Sequence, residues 1–150
     1  MAQQDSSKQP PIGYWLKHTD EVLTKHINQV LSDYGFTRFH WQVLNIVYEA
    51  GAIASKDVFN TMKTFIDVRQ FDEILERLVK EGWLVEQSNG DTTALMLTDA
   101  GKTKRETIFK LQSEVRRQAM LGISDQDYMT VISVLQRMVN NLEEVTHRSP

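Results

Sequence analysis

The chain contains no cysteine among its 150 residues, which excludes a disulfide framework, a thiolate metal site and a cysteine nucleophile. No stretch approaches the roughly 18 apolar residues of a membrane span. The N-terminal residues also lack the basic segment followed by an apolar run that is typical of a secretory signal. These absences predict a cytoplasmic protein with no membrane partner.

Sequence signatures of catalysis are also missing. The chain has neither a glycine-rich loop that could cradle a phosphate nor a Gly-x-Ser-x-Gly nucleophile elbow. Its four histidines, none of them at the i, i+4 spacing of a metal pair, are His18, His26, His40 and His147. We therefore predict that the protein is not an enzyme and has no catalytic residue, metal site or cofactor.

The chain has little excess charge of either sign. Its net charge of −3 gives no general attraction to nucleic acid. Residues 53–101 carry 5 basic and 9 acidic side chains, a net of −4, whereas residues 102–150 carry 8 and 6, a net of +2. A hydrophobic content of 41% and a length of 150 residues fit one globular domain with a real core.

Apolar residues recur at helical spacing in six segments, which predicts six helices. Side chains suited to N-caps precede four of them, and these are Thr37, Ser55, Thr98 and Ser124. The predicted helices cover approximately residues 10–35, 38–50, 56–62, 67–81, 99–121 and the segment that follows Ser124.

Two short strands are predicted between the fourth and fifth helices, at residues 83–87 and 93–97. The intervening Asn89-Gly90 pair is a strong signal for a two-residue hairpin turn in which both residues accept positive φ. This order of elements predicts a mainly α fold with a small β-hairpin wing. A winged helix-turn-helix at residues 37–98 is flanked by long helices at 10–36 and 99–147, in one structural domain after a disordered tail at 1–9.

The three long flanking helices are amphipathic, with wide apolar stripes. A winged helix of about 60 residues is too small to cover all of these stripes. A second copy of the chain would cover them, so we predict a homodimer with an intertwined lobe built from the first, fifth and sixth helices.

In their order and spacing, four segments resemble the MarR family, the multiple antibiotic resistance regulators. They are FTRFHWQVLNIV, FDEILERLVKEGWLVE, LMLTDAGK and GISDQDYMTVISVLQRMVNNLE, and the resemblance runs from about Ile12 to Glu144. It implies a homodimeric transcription regulator that binds a palindromic operator in double-stranded DNA and is released by a small aromatic or phenolic ligand.

The chain departs from the family pattern at two places. Asp91 matches an aspartate common in the wing, but Thr93 stands where the family has an arginine that enters the minor groove. In the recognition helix, Asp72 and Glu73 occupy positions where hydroxyl or basic residues are frequent. Acidic side chains there weaken binding to phosphate-rich DNA, although a carboxylate can accept a hydrogen bond from cytosine.

Arg69 and Gln70 are the candidates for reading bases, because they lie near the N-terminal end of the fourth helix. Candidates for backbone contacts are Lys56, Lys63, Asn89, Thr92 and Thr93. The alternative is that the charged face of this helix is plain surface, since pairs such as Arg69–Glu73 stand at i, i+4.

The N-terminal part of a basic cluster along the fifth helix follows the wing and could approach DNA, although a solvated face of a dimerisation helix is the favoured interpretation. The members of the cluster are Lys102, Lys104, Arg105, Lys110, Arg116 and Arg117.

The resemblance implies an effector pocket near the first, second and fifth helices. Aromatic and imidazole side chains in the matching segments suit a planar organic ligand, and the candidates are Tyr14, Trp15, His18, His40 and Trp41. The alternative is that the tryptophans are core residues and the histidines are satisfied within the protein.

A second function remains open. The acidic lobe and the arginine-free wing fit a degenerate winged-helix protein that no longer binds DNA and serves as a protein-interaction or ligand-sensing module.

Overall fold

The computed structural model describes residues 8–148, so most of the predicted tail at 1–9 lies outside the described residues. Helices predominate, and a small antiparallel sheet supplies the wing, as predicted. The elements are α1 (Ile12–Leu31), a 3₁₀ turn (Ser32–Tyr34), α2 (Arg38–Ala50), β1 (Ala52–Ala54), α3 (Ser55–Met62), α4 (Val68–Lys80), β2 (Leu84–Asn89), β3 (Thr92–Leu97), α5 (Asp99–Ala119) and α6 (Asp125–Arg148).

The end of α1 differs from the prediction. The helix stops at Leu31, and the 3₁₀ turn carries the chain to Gly35, whose φ of 69° lies in the left-handed region. The Gly35 N–H donates to the Ser32 carbonyl at 2.9 Å. Arg77 of α4 donates a guanidinium N–H to the Gly35 carbonyl, and a Cβ atom at this glycine would overlap that guanidinium. The end of the Arg77 side chain could move away from a Cβ atom, so glycine is required at position 35 chiefly for the backbone conformation.

Three of the four predicted N-caps are confirmed. Thr37 forms a capping box with His40 at the start of α2. The Thr98 hydroxyl accepts from the Gly101 N–H at 3.0 Å, and the Ser124 hydroxyl accepts from the Asp127 N–H at 3.0 Å. These caps satisfy N–H groups that have no partner within the helix.

The prediction that Ser55 caps α3 is wrong. Ala54 is the N-cap residue, with no side-chain hydrogen bond there, and Ser55 is the first helical residue. The reason is that Ala54 is the last residue of β1 and keeps an extended backbone, with φ −64° and ψ 138°. The strand therefore runs directly into the helix.

The sheet has three strands in the order β1-β3-β2, so it contains one strand that the sequence pattern missed. β1 pairs antiparallel with β3 through Ile53 opposite Leu95, and β2 pairs with the same strand through Glu86 opposite Leu95. Three residues are too few to show the alternation that reveals a strand.

The predicted Asn89-Gly90 turn is displaced by one residue. Asn89 pairs with Thr92 in the ladder, so the two loop residues are Gly90 and Asp91. Within residues 8–148, every residue with positive φ is a glycine, and Gly90 has φ 66°. This φ pattern fits a type II′ turn, in which glycine occupies the first central position.

One compact unit extends to Ser113 and contains the winged helix. Its core combines buried side chains from α1 to α5, including Leu31, Leu44, Val47, Met62, Leu78, Leu95 and Ile108.

At the beginning of α5, the Thr98 hydroxyl donates to the Gly82 carbonyl at 2.6 Å. A Cβ atom at Gly101 would overlap the backbone of Trp83, so glycine allows α5 to start directly against the sheet.

The second compact unit begins at Glu114 and contains the last turns of α5 together with α6. Arg117 donates to Glu114 at 2.6 Å, and the Arg116 guanidinium lies 5.0 Å from the Tyr128 ring centre. None of the α6 side chains described, residues 125–147, is buried. No helix among residues 8–148 is long and apolar enough to cross a membrane.

Candidate nucleic-acid interface

The N-terminal turn of α4 is fixed by a reciprocal pair of hydrogen bonds. The Asp67 carboxylate accepts from the Gln70 N–H at 2.8 Å, and the Gln70 side-chain oxygen accepts from the Asp67 N–H at 3.0 Å. Phe71, Ile74 and Leu78 of the same helix are buried. The core therefore anchors one face of α4, while the opposite face and the first turn are open to solvent.

Arg69 is a highly accessible cation on this helix. Its side chain is 88% exposed, and its Nε lies 3.4 Å from a carboxylate oxygen of Glu73. An exposed i, i+4 pair of this kind contributes only a few tenths of a kcal/mol. The guanidinium is consequently restrained weakly and can donate to a guanine edge or to a phosphate.

Gln70 lies beside Arg69, but its amide oxygen is already used in the capping box. Reading adenine through both the oxygen and the nitrogen of the amide, as Asn and Gln do in the major groove, would require this side chain to leave the box. Gln70 thus holds the first turn of α4 in place, which is a contribution that the sequence pattern did not reveal.

The proposed backbone contacts come from α3 and the wing. Lys56 lies exposed in the first turn of α3, and Lys63 is the exposed residue that follows its last turn. At the wing tip Asn89 and Thr92 are exposed and Thr93 is half-buried. Their hydroxyl and amide groups can hydrogen-bond to phosphate, but they supply no positive charge.

The basic cluster of α5 is largely engaged within the protein. Arg105 donates to the Asn45 side chain at 2.8 Å, lies 3.5 Å from the Glu49 carboxylate, and has its guanidinium 3.9 Å from the Tyr48 ring centre. The Lys104 ammonium lies 5.0 Å from the Tyr34 ring centre and 5.2 Å from that of Trp83.

Arg116 and Arg117 also have intramolecular partners in Tyr128 and Glu114. Four of the six cations of the cluster therefore pack against aromatic or acidic side chains. Lys102 and Lys110 remain exposed. Burial therefore favours packing over DNA contact for Lys104 and Arg105, whereas Arg116 and Arg117 are exposed despite their partners.

The five predicted ligand residues are not gathered in one place. Tyr14 stacks on His18 with ring centres 5.5 Å apart, and Trp15 meets the edge of Tyr14 at 5.2 Å. All three lie exposed on the first two turns of α1. Trp41 is partly buried and packs against the core, with the Arg105 guanidinium 5.7 Å from its ring centre.

His40 has a structural role at the start of α2. Its Nδ1 accepts a hydrogen bond from the Thr37 N–H at 3.2 Å and lies 2.9 Å from the Thr37 hydroxyl. Burial, together with the positive charge of Arg77, lowers the pKa of His40 to about 4. The imidazole is therefore neutral near pH 7 and can act as the acceptor that this cap needs.

A cleft of about 890 Å³ opens between α1, α2 and the segment that joins α3 to α4. None of the five predicted ligand residues lines it. Arg38 crosses part of the cleft and donates to Asp20 at 3.0 Å and to Thr24 at 2.7 Å. The lining residues are Asp20, Glu21, Thr24, Lys25, Asn28, Gln29, Ser32, Arg38, Phe39, Gln42, Thr64 and Phe65.

Two features of the cleft suit an organic ligand. Phe65 is 62% exposed although it is apolar, and Phe39 supplies a second aromatic wall. The Gln42 side-chain oxygen is buried without a hydrogen-bond partner among the described residues. Exposure of Phe65 could not be inferred from the sequence, because the turn after α3 has no periodicity that indicates which side faces solvent.

The sequence matches no protein-family model and no curated protein. Solved structures, in contrast, match over most of their length. A MarR transcriptional regulator from Methanosarcina mazei Go1 has a TM-score of 0.75 at 20% identity, with 89% of this chain and 90% of that chain covered.

Two further structures connect this fold to ligands. A mutant MarR from E. coli in complex with operator DNA has a TM-score of 0.74 at 18% identity, covering 85% of this chain and 93% of that chain. Bordetella bronchiseptica BpsR, whose DNA binding is described as regulated by 6-hydroxynicotinic acid, has a TM-score of 0.72 at 20% identity, covering 92% and 98%. The chain therefore has the winged-helix fold of the MarR regulators.

Proposed function

We propose that this protein is a dimeric MarR-type transcription regulator that binds double-stranded DNA. The observation that carries the proposal is the likeness to a MarR that was crystallised on operator DNA, together with an α4 whose first three residues are exposed to solvent. In this proposal α4 enters the major groove, Arg69 reads base edges, and Lys56, Lys63 and the wing residues Asn89, Thr92 and Thr93 contact the backbone. Gln70 can also read bases, but only if its side chain leaves the capping box with Asp67.

The exposed apolar side chains of α6 support the dimer. Val131, Met138, Val139 and Leu142 are all exposed, and such a stripe is stabilised when a second copy covers it. A two-fold dimer would present two recognition helices to a palindromic operator, with half-sites about one DNA turn apart.

The cleft beside Phe39 and Phe65 supports a small aromatic effector. Its apolar walls and its polar groups from α1 and α2 are the combination found in organic-ligand sites. A ligand that fills the cleft and alters the spacing of the recognition helices would release the operator. Thermal shift with a panel of small aromatic acids and amides tests this site, with Phe65→Ser as the variant expected to lose the shift.

Fluorescence anisotropy across a salt series is the test of DNA binding. We expect labelled duplex from the region upstream of the protein's own gene to bind more tightly than scrambled duplex, with affinity falling steeply as salt rises. Arg69→Ala should reduce the preference between duplexes. Lys63→Ala should weaken all duplexes alike and lower the salt slope by about one for each phosphate that is no longer neutralised.

Arg137→Ala is the matched control, because it removes an exposed cation from α6 rather than from the proposed interface. It should bind like the wild type. Failure to bind any duplex near 50 mM salt by a folded protein, verified by circular dichroism, would rule the regulator out.

That outcome would favour the second candidate, a winged-helix protein that acts as a protein-interaction or ligand-sensing module. The specific observation in its favour is that Glu73 pairs with Arg69, while the wing tip carries no basic side chain. A pull-down with the folded protein and the thermal-shift panel would then identify its partner.

A further inference from the structure

Val68, the first residue of α4, is exposed in a helix that otherwise buries most of its apolar side chains. It is 57% exposed, whereas Phe71, Ile74, Leu75 and Leu78 are at most 7% exposed. At about 100° per residue, Val68 lies on the flank of the helix that it shares with Asp72 and Val79 rather than at the centre of the buried face. The core therefore does not account for an apolar residue at this position.

The direction of the side chain is set by the helix. In an α-helix the Cα–Cβ bond tilts toward the N-terminus, so Val68 projects ahead of the first turn. The Asp67–Gln70 capping box fixes the backbone of that turn. Val68 is thus a rigid apolar group at the end of the helix that approaches bases in a groove-inserted recognition helix.

We propose that Val68 determines sequence specificity by contacting the C5-methyl group of a thymine in the major groove. The major-groove edge of thymine is distinguished by this methyl group, and apolar side chains recognise it by contact. The proposal rests on the function proposed above. It adds a thymine preference next to the base read by Arg69, a residue type that hydrogen-bonds to guanine.

Val68 is a β-branched side chain with little rotamer freedom in a helix, so it gives up little conformational entropy when it meets a base. Its neighbours on the flank do not compete for the same contact. Asp72, one turn later, is a hydrogen-bond acceptor suited to an amino group, and Val79 lies 11 residues further along the helix, about 16 Å away.

The experiment replaces thymine by deoxyuridine, which lacks only the C5-methyl group. The full-length protein first selects duplexes from a random pool, and each thymine of the selected site is then replaced in turn. We expect one thymine in each half-site at which the replacement lowers wild-type affinity about fourfold, the equivalent of one methyl group removed from water.

Val68→Ala should bind the thymine and deoxyuridine duplexes equally at that position. The variant should fold normally, because Val68 is outside the core and alanine favours helix. Val79→Ala is the matched control, since it makes the same change on the same flank at the other end of α4, and it should keep the fourfold dependence.

Sequence-specific binding without a methyl-sensitive thymine, or a fourfold dependence that persists in Val68→Ala, would overturn the Val68 contact and leave the regulator intact. Absence of any sequence selection from the pool would overturn both. If Val79→Ala also lost the dependence of affinity on the thymine methyl group, that dependence would reflect helix stability. This result would overturn the contact between Val68 and thymine as well.

Discussion

The winged helix and α6 have similar helical patterns of apolar residues, but these residues are mostly buried within the chain in the winged helix and mostly exposed in α6. In the winged helix Leu44, Val47 and Leu78 are fully buried within the chain. In α6 the apolar side chains are exposed or at most half-buried, and Leu142 is 67% exposed. Amphipathic periodicity therefore does not by itself indicate whether the same chain covers a helix face.

The difference separates two kinds of stability. Burial of the winged-helix core contributes to folding of the chain at any protein concentration. Burial of the α6 stripe by a second copy would contribute only through association, which depends on concentration. Substitutions of the same type in the two regions should consequently have effects that differ in kind.

The largest expected effect comes from truncating a core leucine. Leu78→Ala should lower the free energy of unfolding by about 2–5 kcal/mol, because it leaves a cavity at a fully buried position. Leu142→Ala should change the stability of the dilute monomer by less than about 0.5 kcal/mol. Urea unfolding at protein concentrations above and below the association range measures both. An equal loss in the two dilute variants would contradict the comparison.

The next effect tests the proposed dimer directly. Val139→Glu places a charge in the exposed apolar stripe of α6, and it should weaken self-association at least about a hundredfold, since a charge buried without a partner is costly. Light scattering should then give the monomer mass. Asn140→Glu adds the same charge one residue later, on the polar side of the helix, and should stay dimeric. Wild-type mass in Val139→Glu would exclude this stripe as the interface.

A smaller effect on the free energy of unfolding should appear at acidic pH, and it should come from His40 of the winged helix. The folded chain keeps His40 neutral down to a pKa of about 4, whereas the unfolded chain protonates it at its usual pKa of about 6.5. The unfolded state binds more protons between these values, so the stability that depends on neutral His40 is lost as pH falls from about 6.5 to 4, and this contribution changes no further below that range. The loss is about 1–2 kcal/mol, because water partly screens this half-buried ring.

His40→Asn is the comparison variant, because its amide oxygen can accept from Thr37 and does not titrate there. Its unfolding free energy, measured by urea titration from pH 7 to 4, should fall less steeply than that of the wild type. Parallel curves would show that His40 does not contribute to the acid sensitivity.

The smallest effect concerns the start of α6. Ser124→Ala removes the hydroxyl that accepts from the Asp127 N–H and should cost about 1 kcal/mol, whereas Ser124→Gly should cost only a few tenths. Thermal unfolding of the two variants measures the difference. Identical melting temperatures for alanine and glycine would mean that the cap contributes little to α6.

The features predicted well from the sequence are those fixed by local chemistry. The caps at Thr37, Thr98 and Ser124 depend on contacts three residues away, and the long helices depend on a repeated apolar pattern. β1 and the exact hairpin turn were missed because they depend on which residues of β3 they face. Pairing of Asn89 with Thr92 decides the turn, and that register is a property of two strands rather than of one dipeptide.

The candidate site was predictable only in part for the same reason. The position of Arg69 near the start of α4 follows from the helix boundary. The partners of Arg105 do not, because the Asn45 side chain that it contacts is 60 residues away. The fit of Gln70 into the capping box follows a known local pattern, but a glutamine that reads bases and one that caps a helix look alike in sequence.

The backbone conformation at Gly35 restricts which residues can occupy this position in evolution. Its φ of 69° lies in the left-handed region, which asparagine tolerates comparatively well when glycine is replaced. A Cβ atom there would also meet the end of the Arg77 side chain, but that end is flexible and can move away. Lineages of this fold should therefore keep glycine or asparagine at position 35, whichever residue stands at position 77.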